Sequence, residues 1–137
     1  MASADVKKLK PDRTAVDGQL ILLTSAANSS GSTHLLAFIK DQNPDAILIG
    51  ERTGGNAEGA TAGILFTLTL PNSGIKMRVP AMQTFMNIES FTPGLGVSPD
   101  IEAPMTIQAF LNGEDPAYEK ALSLIETSTD FDTAALD

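Results

Sequence analysis

The sequence predicts an α/β fold, and three features carry that prediction. A continuous apolar run, Leu20-Ile21-Leu22-Leu23, precedes a helix-type spacing at Leu35, Leu36, Phe38 and Ile39, and a second apolar run, Ala46 to Ile49, follows. Continuous apolar runs of this length suit strands covered on both faces of a parallel sheet, whereas half-buried antiparallel strands alternate. Strand, helix and strand within about 30 residues make one βαβ unit, whose crossover is expected to be right-handed. Downstream, two further strand patterns separated by a turn add a hairpin to the parallel core.

The elements follow in order. Residues 1–18 read as a flexible lead-in: Lys7, Lys8 and Lys10 precede Pro11 and Asp12 with no apolar period. Gln19 to Ser25 holds the first strand, predicted to be almost fully buried. Asn28, Ser29 and Ser30 are residues that start helices, and the helix ends near Asn43-Pro44, where proline disfavours its continuation. The stretch from Gly50 to Gly59 contains glycine at 50, 54, 55 and 59 and must be a loop. Ile64 to Leu70 and Ile75 to Val79, joined through Pro71-Asn72-Ser73-Gly74, form the hairpin, with Ile64, Phe66, Leu68 and Leu70 on one side. Ala81 to Met86 is expected to be another strand, Phe91 to Pro99 a loop, and Asp100 to Ala103 extended. Thr106 to Asn112 reads as a short helix stopped by Gly113. Asp115-Pro116 opens a last helix with an apolar stripe of Tyr118, Ala121, Leu122 and Ile125. Residues 127–137 read as an acidic, frayed tail.

Composition excludes several function classes. The chain has 137 residues, 42% of them hydrophobic and 19% charged, as expected of one globular domain. A net charge of −8 argues against nucleic-acid binding, which needs clustered Lys and Arg on the phosphates. Cysteine is absent and His34 is the single histidine, so disulfides, thiolate chemistry and His-rich metal sites are excluded. No apolar stretch is long enough for a membrane-spanning segment, and residues 1–10 lack the apolar core of a signal peptide. Neither composition nor motif sets the oligomeric state.

The chemistry concentrates at the strand-to-helix junction, Thr24-Ser25-Ala26-Ala27-Asn28-Ser29-Ser30-Gly31-Ser32-Thr33. A serine there is presented at the carboxyl end of the sheet, where open α/β sheets place their sites. The helix N-terminus adds free N–H groups and partial positive charge suited to an oxyanion. Spacing alone favours the plainer reading, that these serines merely cap the helix.

Three motifs in order shift that balance. Leu22-Leu23-Thr24-Ser25 through Ser30-Gly31-Ser32 resembles the strand-to-nucleophile motif of the tail-specific (C-terminal-processing) serine peptidases. Ile49-Gly50-Glu51-Arg52-Thr53-Gly54-Gly55 is similar to that family's V-G-E-x-T-x-G. Gly96-Val97-Ser98-Pro99-Asp100-Ile101-Glu102 resembles its G-V-x-P-D-I-E signature, preceded by Phe91-Thr92-Pro93 in place of Y-T-P. The resemblance, from about Gln19 to Ala103, implies a ClpP/crotonase-like layered βαβ core with an added β-hairpin, residues 19–126 being part of a catalytic core. It implies Ser30 as nucleophile, with the backbone N–H of Gly31 holding the oxyanion. It further implies an unstructured polypeptide as substrate, no metal or organic cofactor, and a place in the cell envelope, the periplasm or outside the cell.

The sequence also departs from the family pattern. Asn56 stands where the tail-specific branch has the lysine of its Ser–Lys dyad, and asparagine cannot act as a general base. Lys40 and Lys76 fall at other positions. The Gly54-Gly55 form of the loop is closer to the tricorn-like branch, which takes its base from an upstream histidine; His34 lies four residues downstream of Ser30 and carries no family role. The family's upstream D-x-R-x-N-x-G-G turn, part of its oxyanion hole, does not precede Gln19. The expectation is therefore an incomplete catalytic domain with little activity by itself. Glu51, Glu58 and Glu89 read as solvated carboxylates, Glu89 being the one that could orient a base. The Gly54-Gly55 pair lacks the Gly-Lys-Ser/Thr end of a phosphate loop. Two other classes fit the same fold: a non-catalytic domain that binds apolar ligands or peptides, similar to interphotoreceptor retinoid-binding protein, and a crotonase-like acyl-CoA enzyme, which would need basic residues that this acidic chain hardly offers.

Overall fold

The computed structural model describes residues 18–133, apart from positions 59, 62, 85, 87, 89 and 90. The predicted lead-in and the carboxylate of Glu89 lie outside the described residues. Among the described residues five strands and three helices follow one another: β1 (Ile21–Thr24), α1 (Gly31–Gln42), β2 (Ile47–Gly50), β3 (Leu65–Thr69), β4 (Lys76–Pro80), β5 (Ile101–Glu102), α2 (Ile107–Asn112) and α3 (Pro116–Thr133). The predicted βαβ unit is present: β1 and β2 pair in parallel, Ile21 opposite Ile47 through Thr24 opposite Gly50. β5 joins the other side of β2, also in parallel, giving the sheet order β1-β2-β5.

That order corrects one expectation. β2 is the central strand, and its Leu48 and Ile49 are both 0% exposed. β1 is an edge strand of this sheet, so the run predicted to be buried leaves Leu20 38% and Leu23 43% exposed. The same apolar pattern thus accompanies two different burials, because a strand's sequence does not record how many neighbours it has. α3 covers one face, its Ala117 and Ala121 packing with Ile49, Ile21, Ile47 and Ile101. A second small core joins Ala37 of α1 to Ala57 and Ile88, with Phe91 and Val97 against it.

The hairpin forms with the predicted facing. Phe66 opposes Val79 and Leu68 opposes Met77, while Thr67–Arg78 and Thr69–Lys76 occupy the other face. It stands away from the body, Phe66 being 65% exposed. Residues 81–84, expected to begin another strand, are irregular. Their backbone bonds only intermittently, Ala81 N–H to the carbonyl of Ile64 and Thr84 N–H to that of Ala60, too sparsely for a ladder. At the other end of the chain α3 continues to Thr133, past the point where the apolar stripe stops in the sequence.

Candidate active site

The carboxyl end of β1 leads into a turn whose backbone donors are used one by one. The N–H of Ser25 donates to Asn28 Oδ1 at 2.8 Å and that of Asn28 to the Ser25 carbonyl at 3.0 Å. The N–H of Ala26 donates to Glu51 Oε2, that of Ala27 to Ser25 Oγ, and that of Ser29 to Ser32 Oγ. Glu51 is therefore a partner of this turn rather than a merely solvated carboxylate. The series stops at Ser30 and Gly31, whose N–H groups have no partner among the described residues. Such free donors are expected in the first turn of a helix, and an added Cβ at Gly31 would meet nothing within 4 Å, so the residue borders open space on that side.

Ser30 itself has φ 51° and ψ −120°, making it the one non-glycine residue with positive φ among those described. It sits at the N-cap position of α1, yet its side chain makes no capping hydrogen bond. Ser30 is exposed and its hydroxyl is not engaged by the helix it precedes, so simple capping does not describe its role. A sharp strand-to-helix turn that lifts a serine out of the capping geometry has the form of a nucleophile elbow, in which the N–H of the next residue serves the oxyanion. The first turn of α1 carries no acidic residue, so its positive end is not offset by a neighbouring carboxylate.

The glycine loop runs beside this turn, as the parallel pairing of β1 and β2 requires. Gly50 has φ 133°, and a Cβ there would come within 1.9 Å of the Thr24 carbonyl oxygen. At Gly55 a Cβ would come within 2.8 Å of both Ser29 Cα and Thr33 Oγ1. Ser30, Gly55, Asn56, Ala60 and Thr61 line an open cleft of about 220 Å³. Among the described residues its lining holds no lysine or histidine. Asn56 is thus brought to the cleft that Ser30 lines. Lys40 lies in the last turn of α1, where its Nζ donates to Pro44 O, Ala46 O and Asp100 Oδ2. Ten residues of helix separate it from Ser30, roughly 15 Å. His34 is half-buried; its Nε2 is buried without a hydrogen-bond partner among the described residues, and it does not line the cleft.

The third motif is stitched to the second. Thr53 N–H donates to Val97 O at 3.0 Å, Val97 N–H donates to Thr53 Oγ1 at 2.9 Å, and Asn56 bridges to Gly96. Glu58 accepts from the N–H of Gly94, and Arg52 Nε donates to Ser98 Oγ. Asp100 accepts from Leu48 N–H and Lys40 Nζ, both at 2.9 Å. Partial burial alone would raise its pKa, but the Leu48 N–H and the Lys40 ammonium outweigh that and hold it below the ordinary carboxylate value. Three segments far apart in sequence therefore converge on one side of the sheet. Of the hydrogen-bonding residues that build the turn, the sequence marked Asn28 only as a helix-starting residue and Glu51 only as a solvated carboxylate, and gave Thr33 no role of its own. The spacing Ser25-x-x-Asn28, in which the later side chain reaches back to the earlier N–H as in a capping box, is the signal that would have found the first.

This architecture agrees with comparisons to known proteins. The sequence matches Peptidase family S41 over residues 2–103, and the chain belongs to that family. The match ends at the predicted Ala103 but begins at residue 2, so it takes in the segment read as a lead-in. The structure is similar to the crystal structure of a candidate peptidase from Parabacteroides merdae ATCC 43184, with a TM-score of 0.57 and 27% sequence identity. The similarity covers 83% of this chain and 34% of that one, so the chain spans about a third of that protein's length. No curated protein matches the chain significantly. No helix among the described residues is long and apolar enough to cross a membrane.

Proposed function

We propose that this chain is part of the catalytic domain of a serine peptidase of the tail-specific, C-terminal-processing type, with Ser30 as nucleophile. The observation that carries the reading is the backbone of Ser30: a positive φ at the helix start, with the hydroxyl held off the cap. Strained conformations of this kind concentrate at functional sites, where the surroundings over-determine them. In the proposed reaction Ser30 Oγ attacks the carbonyl of a scissile peptide bond. The Gly31 N–H and the positive end of α1 receive the charge of the tetrahedral oxyanion, which collapses to an acyl-enzyme with departure of the amine. Water then releases the acyl group and restores the serine. The substrate class is an unstructured polypeptide, since the cleft is open and shallow, and the parent protein would act in the cell envelope, the periplasm or outside the cell. The three-stranded sheet would be one portion of a ClpP/crotonase-like layered core.

No general base lines the cleft among the described residues. Asn56 occupies the cleft beside Ser30 and cannot take its proton, so the 137-residue chain is expected to turn over slowly or not at all. The test is cleavage of a fluorophore-labelled unfolded protein by the parent chain, by Asn56→Lys and by Asn56→Lys combined with Ser30→Ala. Asn56→Lys should raise cleavage by about 100-fold or more, the range of general-base catalysis, and the double variant should lose the gain. No gain, or a gain that survives Ser30→Ala, contradicts the assignment.

A second reading, an apolar-ligand or peptide-binding domain, is favoured by one feature. A groove of about 720 Å³, lined by Leu20, Ile21, Ile47, Leu124 and Ile125, lies at the end of β1 away from Ser30. A fluorescent fatty-acid probe that binds the chain and is displaced by Ile125→Asp would support it.

A further inference from the structure

A serine at φ 51° and ψ −120° needs something to keep it there. Left to itself it would adopt the extended geometry of an ordinary N-cap and bond its hydroxyl to an N–H in the first turn. Thr106 does so in this same chain: with φ −90° and ψ 158°, it accepts from the Ala109 N–H.

The contacts around Ser30 identify the restraint. The carbonyl of Asn28, two residues before Ser30, accepts two hydrogen bonds, from Gly55 N–H at 3.0 Å and from Thr33 Oγ1 at 3.3 Å. Thr33 is 0% exposed, so its hydroxyl has no water to turn to and the Asn28 carbonyl is its partner. Gly55 closes the other side: its Cα lies so near the turn that an added Cβ would come within 2.8 Å of Ser29 Cα and 3.1 Å of Ser30 N. Gly55 does not adopt a positive φ, so the need for glycine there is one of space rather than backbone torsion. The turn is thus held from the helix side by Thr33 and from the loop side by Gly55, at the carbonyl two residues before the strained one; the intervening Ser29 carbonyl accepts only from Ser32, within the turn itself.

On the reading of Ser30 as nucleophile, we propose that Thr33 and Gly55 are positioning residues that clamp the Asn28 carbonyl and thereby hold Ser30 off the helix cap. The glycine loop thereby acts through its backbone: the Gly55 N–H helps set the backbone of the serine. Neither residue touches the reacting atoms.

The test uses the 137-residue chain with Thr33→Val, which keeps shape and removes the hydroxyl, Thr33→Ser, which keeps the hydroxyl, and Gly55→Ala. The first readout is the intraresidue HN–Hα cross-peak of Ser30 in nuclear magnetic resonance, which is strong only at positive φ. The second is the rate at which Ser30 is phosphonylated by a small fluorophosphonate, compared with Ser29 and Ser32 in the same molecule. Thr33→Val and Gly55→Ala should lose the strong cross-peak, and their Ser30 phosphonylation should fall by ~10-fold or more. Thr33→Ser should retain both. Should Gly55→Ala fail to fold, Thr33→Val and Thr33→Ser decide the matter by themselves. A Ser30 that keeps its strong cross-peak in Thr33→Val overturns the clamp, whatever its reactivity. A cross-peak that behaves as described, in a chain whose Ser30 is no more reactive than Ser29, instead refutes the nucleophile and with it the positioning role.

Discussion

Two helices of this protein start with a hydroxyl residue, and they use it in opposite ways. At α2, Thr106 is extended and its Oγ1 accepts from the Ala109 N–H at 3.1 Å, satisfying one of the donors that a helix leaves unpaired. At α1, Ser30 stands at the same formal position with positive φ and no side-chain bond to the helix. The first hydroxyl stabilises a helix; the second is kept free, with the N–H of Gly31 free beside it. Local free energy alone would make the two alike. The difference shows that the contacts around the α1 turn, chiefly with the glycine loop, override the local preference at one helix start and not at the other.

Stability measurements sharpen this contrast. The largest effect is expected from Ser30→Gly. Glycine takes positive φ without steric cost, so the variant should be more stable than the parent by about 1 kcal/mol, the strain relieved less the added chain entropy. Thr106→Ala should go the other way and lose about 1 kcal/mol, the usual cost of a removed N-cap. Chemical denaturation of both variants checks the pair. A destabilised Ser30→Gly would mean that the Ser30 side chain is engaged after all.

The smallest effect belongs to the far end of α1, where Lys40 and Asp100 form a partly exposed ion pair at 2.9 Å. Asp100 has a lowered pKa in the folded state, so its contribution is present above the unfolded value of about 4 and is lost as pH falls through the lower folded value. Asp100→Asn should therefore cost well under about 1 kcal/mol near pH 7, given the pair's exposure. The gap to the parent should close as the pH is taken below about 4. Thermal unfolding from pH 7 to pH 3 tests the sign; a gap that widens in acid would contradict it.

Much of this arrangement was legible before any coordinates. The apolar runs predicted β1 and β2, and their parallel pairing brought the glycine loop to Ser30. The Gly96 to Glu102 motif proved to be tied to that loop through Thr53 and to β2 through Asp100. What was not legible has physical causes. Leu20 to Leu23 and Ala46 to Ile49 read alike, but only β2 has a neighbour on each side, so only its residues are sealed. Ser30 and Thr106 also read alike, since both are good N-caps by type. What separates them is contact with a loop more than 20 residues away in sequence. The clamp escaped notice for the same reason: Thr33 looks like a polar residue in an exposed first turn until the loop covers it.

The account depends above all on Ser30 being the reactive serine, and a mapped covalent adduct tests that most directly. Asn56→Lys should be treated with a fluorophosphonate and digested, and the extent of modification read by mass spectrometry at Ser25, Ser29, Ser30 and Ser32. Four serines within eight residues of one another, differing in backbone geometry and in whether the hydroxyl is hydrogen-bonded, are each other's controls. The predicted result is an adduct on Ser30 at least ~10-fold in excess over each of the others, weaker but still preferential in the parent chain. Equal labelling of the four serines, or an adduct centred on Ser29 or Ser32, would contradict the account.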